Sequence, residues 1–270
     1  MCTVRVTPRA VLLLALLALL APPLFSDGND AASWLRSDPR ARAYASAQAE
    51  ILAVFDDAQK TGVPTGPLVD KLKEGVAKRV AADLLVAGLR VELDRLATGE
   101  SLLAGQAPGL DPGQKEAALR AVSLLLASGA SPQMIESLLD AASEAARGST
   151  YIVKTLGVLA QLKLSIHLPD ALAQTLGTAL LRSRMPQEAF DAIPSVVIRA
   201  RANGMSSEEV VAIVVGVLRS GGGLIQMQDR LQKASPGAQA ERRQERPGAG
   251  SAAAHPQAGG PPHPEGPVKR

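Results

Sequence analysis

Cysteine is all but missing from this chain of 270 residues: its one Cys is Cys2. Cys2 stands ahead of an apolar run that reads as a leader. The body behind that leader is therefore expected to hold no thiol, and with it no disulfide, thiolate nucleophile or Cys-ligated metal. Aromatic side chains are almost as scarce, at 2% of the chain against 46% hydrophobic residues overall. The core must be built from Leu, Val, Ile and Ala, small enough to let helices approach closely. Few large anchors of the kind that dominate binding interfaces are left. No alternating β-branched run bounded by a hairpin turn occurs, which argues against a sheet. Charge of one sign does not prevail either. From Ala31 to Lys233 there are 22 Lys and Arg against 21 Asp and Glu, one positive charge in excess. Duplex binding needs a concentrated cationic footprint, so nucleic acid is not an expected partner.

What the chain does have is glycine at a steady beat. Gly109, Gly129, Gly148 and Gly204 each close an apolar and charged run, with Ser, Thr, Asp or Pro close behind. The interval of about 20 residues fits one helix of roughly four turns plus a short link. Asp38-Pro39, Asp111-Pro112 and Ser131-Pro132 supply a cap followed by proline at the first helical position. Ser206 and Glu209 have the spacing of a full capping box. Leu168-Pro169-Asp170 and Met185-Pro186 are further starts, and Pro194 is expected to break or kink the helix there. Glycine is expected to end segments at Gly62, Gly75 and Gly221, and the link from Thr98 to Gly109 reads as the most mobile internal segment. The prediction is an all-α fold of about nine or ten short helices stacked as antiparallel pairs, either solenoid-like or an irregular bundle.

Both ends differ from this body. Residues 1–26 read as a signal peptide: Arg5 and Arg9, then the twelve apolar residues Ala10–Ala21, then Pro22-Pro23. Twelve residues reach only about 18 Å as a helix, short of a hydrocarbon core of about 30 Å. A cleaved signal implies export to the periplasm or beyond; the alternative is an uncleaved anchor. Residues 27–37 read as a short linker and 38–233 as the helical domain. Residues 234–270 read as a disordered Pro/Gly/Ala-rich tail, which cannot bury enough surface to offset ordering entropy. The tail is either a spacer through an envelope layer or an unselected extension.

Candidate chemistry is thin. His167 is the sole body histidine, with Ser165 and Asp170 close in sequence, a spacing common in a helix link; a turn or capping role is expected rather than catalysis. His255 and His263 in the tail make a weak metal pair. Asp56-Asp57 and Glu208-Glu209 are neighbours that diverge by about 100° on a helix and cannot converge on one proton or metal. Gly221-Gly222-Gly223 lacks the Lys-Ser or Lys-Thr of a phosphate loop. Trp34 is expected to pack on the body. No catalytic, cofactor or metal residue is assigned. Lys71, Lys73, Lys78 and Arg79 form the densest basic cluster and are the candidate face for an anion or partner, with Asp70, Glu74 and Asp83 interleaved as neutralising neighbours.

The stretch 61–96 resembles a segment of uncharacterised exported helical proteins of bacteria. The resemblance lies in Pro64, then Pro67, Leu68 and Lys71, then a Glu74-Gly75 link reaching Lys78. It implies export and an all-α body, and brings no activity, cofactor or active residue. These observations favour a non-enzymatic protein that binds or scaffolds in the bacterial envelope, its partner an unknown protein or envelope component. The alternatives are an enzyme whose site is assembled from distant residues, and a membrane-anchored structural spacer.

Overall fold

The computed structural model describes residues 29–106 and 112–236. The leader, Gly109, Asp111, His255 and His263 lie outside the described residues, as does all of the predicted tail beyond Pro236. Among the described residues every regular element is helical. Eleven α-helices occur, near the nine or ten expected. They are α1 (Asn29–Ser37), α2 (Gln48–Lys60), α3 (Gly66–Ala77), α4 (Ala82–Gln106) and α5 (Pro112–Ala127). After these come α6 (Pro132–Glu144), α7 (Ser149–Ile166), α8 (Asp170–Arg182), α9 (Ile193–Ala202), α10 (Ser207–Arg219) and α11 (Leu224–Ala234). Two 3-10 segments, Pro39–Ala47 and Gln187–Ala192, join α1 to α2 and α8 to α9.

The local start signals act as their chemistry requires. Asp38 caps the first 3-10 segment, its carboxylate accepting from the Arg40 N–H at 2.8 Å. The Ser131 hydroxyl accepts from the Met134 N–H at 3.3 Å, with Pro132 next in line. At α10 the capping box is complete: Glu209 N–H donates to Ser206 Oγ at 3.1 Å and Ser206 N–H donates to Glu209 Oε2 at 2.7 Å. Stops are as local. Gly62, Gly129, Gly204 and Gly221 all take positive φ, the left-handed turn that ends a helix at little cost for glycine.

Four expectations are corrected. Gly148 does not close α6; Ala146 takes the left-handed position at φ 50, and Gly148, extended, is the first cap of α7. Gly75 does not end α3 or form a link. It is buried in the helix, where a Cβ would overlap Leu85 Cδ1 of α4. Residues 98–106 are not a loop but the last turns of α4, and Gly99 there faces Leu119 and Val122 of α5. Pro194 starts a helix instead of breaking one, because in the first turn its missing N–H has no partner to lose. In addition, the helical body begins ahead of Asp38, with α1 inside the stretch read as a linker.

The packing is solenoid-like. The substantial helix contacts are between first and second neighbours along the chain. One row stacks α2, α4, α6, α8 and α10 in turn; a second row stacks α5, α7, α9 and α11. Buried Leu, Val, Ile and Ala form one continuous cluster along both rows. Gly177 in α8 shows how small residues serve this arrangement. Leu138 of α6 and Leu159 of α7 close onto it so tightly that a Cβ would lie 2.5 Å and 2.8 Å from their methyl groups.

The few aromatics are used as wedges. Phe55 and Phe190 are the largest fully buried side chains, and each burial contributes roughly 1.5–3 kcal/mol. Tyr151 meets Phe190 edge-on, ring centres 5.7 Å apart. The Tyr44 hydroxyl donates to Val80 O at 2.7 Å, tying the first 3-10 segment to the α3–α4 link. Trp34 is partly buried against the core, as expected.

Candidate functional site

Two of the four basic residues foreseen from sequence meet at one carboxylate. Lys71 and Lys78 both approach Glu74, Lys71 at 3.6 Å and Lys78 in a closer ion pair and hydrogen bond. The Lys78 hydrogen bond holds the Glu74 carboxyl below its ordinary range, outweighing partial burial. These two lysines and Glu74 line a groove of about 230 Å³ against Leu84 and Leu85 of α4. Lys73 is exposed, and Arg79 sits in the link with φ 55. Asp70 does not neutralise its sequence neighbours. It pairs at 2.6 Å with Arg120 of α5, which also holds Glu116 at 2.8 Å.

His167 caps the end of α7 in a left-handed conformation and is exposed. It is not brought into a triad with Ser165 and Asp170. The Asp170 carboxylate is taken by the Lys163 ammonium at 2.5 Å and the Ser131 N–H at 3.0 Å. Lys163 itself is buried and also donates to Leu168 O at 3.1 Å. Burial alone would raise the Asp170 carboxyl, but the ammonium and the amide outweigh it and hold it below its ordinary value. The knot joins the end of α7 to the starts of α6 and α8, a structural task. Asp57 pairs with Lys60 at 3.0 Å and Glu209 is spent in the capping box, so neither adjacent acid pair forms a converging site. Among the described residues no group of three or more His, Cys, Asp or Glu is placed to hold a metal ion.

The larger cleft lies elsewhere, between the ends of α8 and α10. It encloses about 490 Å³, within the range of small-molecule sites. Arg182 and Arg184 line it from one side and Arg219 from the other. The half-buried Thr178, one turn before Arg182, adds a hydroxyl with no hydrogen bond to the described residues. Ala179 and Leu218 form its apolar floor. No His, Cys, Asp or Glu lines it.

Arginine near a helix end is usually read as a partner for the terminal carbonyls and the negative end of the helix dipole. Here other groups already hold several of those carbonyls. Arg147 donates its Nε to Leu181 O at 2.6 Å and its Nη2 to Ser183 O, with its guanidinium 4.8 Å over the Tyr151 ring. Ser183 occupies Leu180 O with both its N–H and its hydroxyl. At α10 the N–H groups of Ser220, Gly221 and Gly222 take Gly216 O, Leu218 O and Val217 O. Four guanidiniums thus gather at this end of the α8 stack. Among the described residues a single carboxylate pairs with any of them, Glu144 with Arg182 at 2.8 Å. Arg184 and Arg219 are exposed and form no ion pair with the described residues.

Sequence reasoning missed this cleft. Arg182 and Arg184 stand 35 or more residues before Arg219, and no local density of charge marks them. Only the stacking of α8 on α10 brings them together. Comparison with protein-family models, curated proteins and solved structures found no match to the chain. The described helices include none long and apolar enough to cross a membrane.

Proposed function

We propose that the chain is an exported, non-enzymatic helical protein that binds or scaffolds a component of the bacterial envelope. The observation that carries the binding reading is the cleft between α8 and α10. It is concave, cationic, and lined by no group that exchanges protons near neutral pH. Such a surface suits holding a partner better than proton transfer or nucleophilic attack. Export rests on the basic start, the apolar run Ala10–Ala21 and the prolines that end it. Stacked helices make a rigid support for such a surface, since each unit is braced by its neighbours.

Crosslinking the protein in intact cells, followed by pull-down from separated fractions, tests the reading. The expected result is a mature N-terminus near Asp27, an envelope fraction and a crosslinked partner lost when Arg184 and Arg219 are replaced. A cytosolic protein that keeps Met1 would overturn it. A mature N-terminus at Met1 in the membrane fraction would instead favour the anchored spacer.

A further inference from the structure

The cleft between α8 and α10 has more positive charge than its surroundings use, and the geometry points to a phosphate-bearing ligand as its occupant. This inference rests on the binding reading above and gives that binding a chemistry. Three arginines line one concave volume, Arg182 and Arg184 from α8 and its following link, Arg219 from α10. Much of their usual alternative work is done by others: Arg147, Ser183 and the backbone amides after α10 occupy Leu181 O, Leu180 O, Gly216 O, Val217 O and Leu218 O. A lone carboxylate is satisfied by one arginine fork, whereas a phosphoryl group has enough oxygens to engage several. The Thr178 hydroxyl, without a partner among the described residues, adds a neutral donor beside them. The floor of Ala179 and Leu218 excludes water from one side of the ligand and strengthens each contact.

Arg182 differs from its two companions. Its guanidinium is shared with Glu144 at 2.8 Å, both side chains being well exposed. An exposed pair of this kind contributes little to stability, so an entering phosphate competes with Glu144 for Arg182. Glu144 is therefore a brake on the site. Removing its charge should tighten binding, an effect that a purely structural role for the cluster would not produce.

Titration calorimetry of the full chain with inorganic pyrophosphate, and flotation with phosphatidylcholine vesicles with and without phosphatidylglycerol, test this. Circular dichroism and melting of each variant serve as the fold control, and Arg184 and Arg219 are exposed enough for R184Q/R219Q to keep the fold. The expected result is saturable binding that weakens by about tenfold or more in R184Q/R219Q, since each lost contact is a hydrogen bond to a charged group. Glu144→Gln should tighten it several-fold. Glu50→Gln, which removes the same charge beside Arg90, should leave it unchanged. Pyrophosphate binding without vesicle binding assigns a soluble phosphate; binding to the anionic vesicles that depends on the same arginines assigns a lipid headgroup. Three results would overturn the proposal: no binding to either probe, acetate displacing pyrophosphate at equal concentration, or a loss in K71Q/K73Q as large as in R184Q/R219Q. Each leaves the envelope reading standing, because that reading depends on localisation and a crosslinked partner.

Discussion

Lys163 and Asp170 form a charge pair at 2.5 Å in which only 7% of the lysine side chain meets solvent. The pair spans the α7–α8 link, and the second carboxylate oxygen reaches the Ser131 amide at the start of α6. One aspartate thus fastens three helices. A buried ammonium left without its counter-charge is costly, whereas a carboxylate one third exposed keeps access to water.

Replacing either partner should therefore have unequal effects. Asp170→Ala strands the Lys163 ammonium and the Ser131 N–H, and should cost about 3 kcal/mol. Lys163→Met leaves Asp170 its amide and its access to solvent, fills the same space with an apolar chain, and should cost about half as much. Urea unfolding midpoints of the two variants check the order; an equal loss would mean that the ammonium is not shielded.

The same pair sets a dependence on acid. The Asp170 carboxyl is pulled below its ordinary value of 3.8, because the Lys163 and Ser131 hydrogen bonds outweigh the opposing effect of burial. With the folded value below the unfolded one, its stabilisation is complete above that ordinary value. It is lost as pH falls through the folded pKa. Glu74, lowered by Lys78, acts in the same direction. Thermal melting followed from neutral pH to below 3 should fall at the acid end, and Asp170→Asn should flatten that fall.

Backbone conformation at two helix ends gives a paired test. Gly129 has φ +83 with nothing within 4 Å of a built Cβ, so its cost on substitution is conformational and not steric. Gly129→Val should cost roughly 1–2 kcal/mol. Ala146 occupies the corresponding turn after α6 at φ 50. Ala146→Gly removes the left-handed penalty and adds unfolded-state entropy, for a net gain of about 0.5 kcal/mol. Opposite shifts in melting temperature are the expected outcome.

Close approach gives a second contrast between glycines. At Gly177 a methyl group would press on both Leu138 and Leu159, within the stacked row and its neighbour. Gly177→Ala should cost about 1–3 kcal/mol. At Gly75 the obstacle is the tip of one flexible side chain, Leu85. Either change gains helix propensity of about 1 kcal/mol, which offsets more of the single clash at Gly75 than of the double one at Gly177. Comparing both variants by chemical denaturation checks that the solenoid is tightest where three helices meet.

Much of the fold was legible because helix boundaries are chosen within a turn or two of the chain. Asp38, Ser131 and Ser206 cap with their own side chains, and Gly62, Gly129, Gly204 and Gly221 take conformations that other residues resist. Some misread positions were those where packing against another helix overrides the local signal. Gly75 looks like a stop and Gly99 falls in a stretch that reads as a link, but their missing side chains make room for Leu85 and for the α5 face. Gly148 looked like the end of one helix because glycine is the usual left-handed residue, yet Ala146 takes that place two residues earlier.

The order of residues is enough to make the described body helical, to start most of its helices and to give it an aliphatic core. Those outcomes follow from the spacing of apolar residues, from proline and glycine, and from caps that bond to their own backbone. Packing alone sets the stacking of alternate helices in two rows, the reach of Asp170 to Ser131, and the sharing of one cleft by Arg219, Arg182 and Arg184. Stripes of Leu, Val and Ala are chemically alike, so nothing in any one of them names its partner. Shape, closeness of approach and the pairing of buried charge select among them when the whole chain packs.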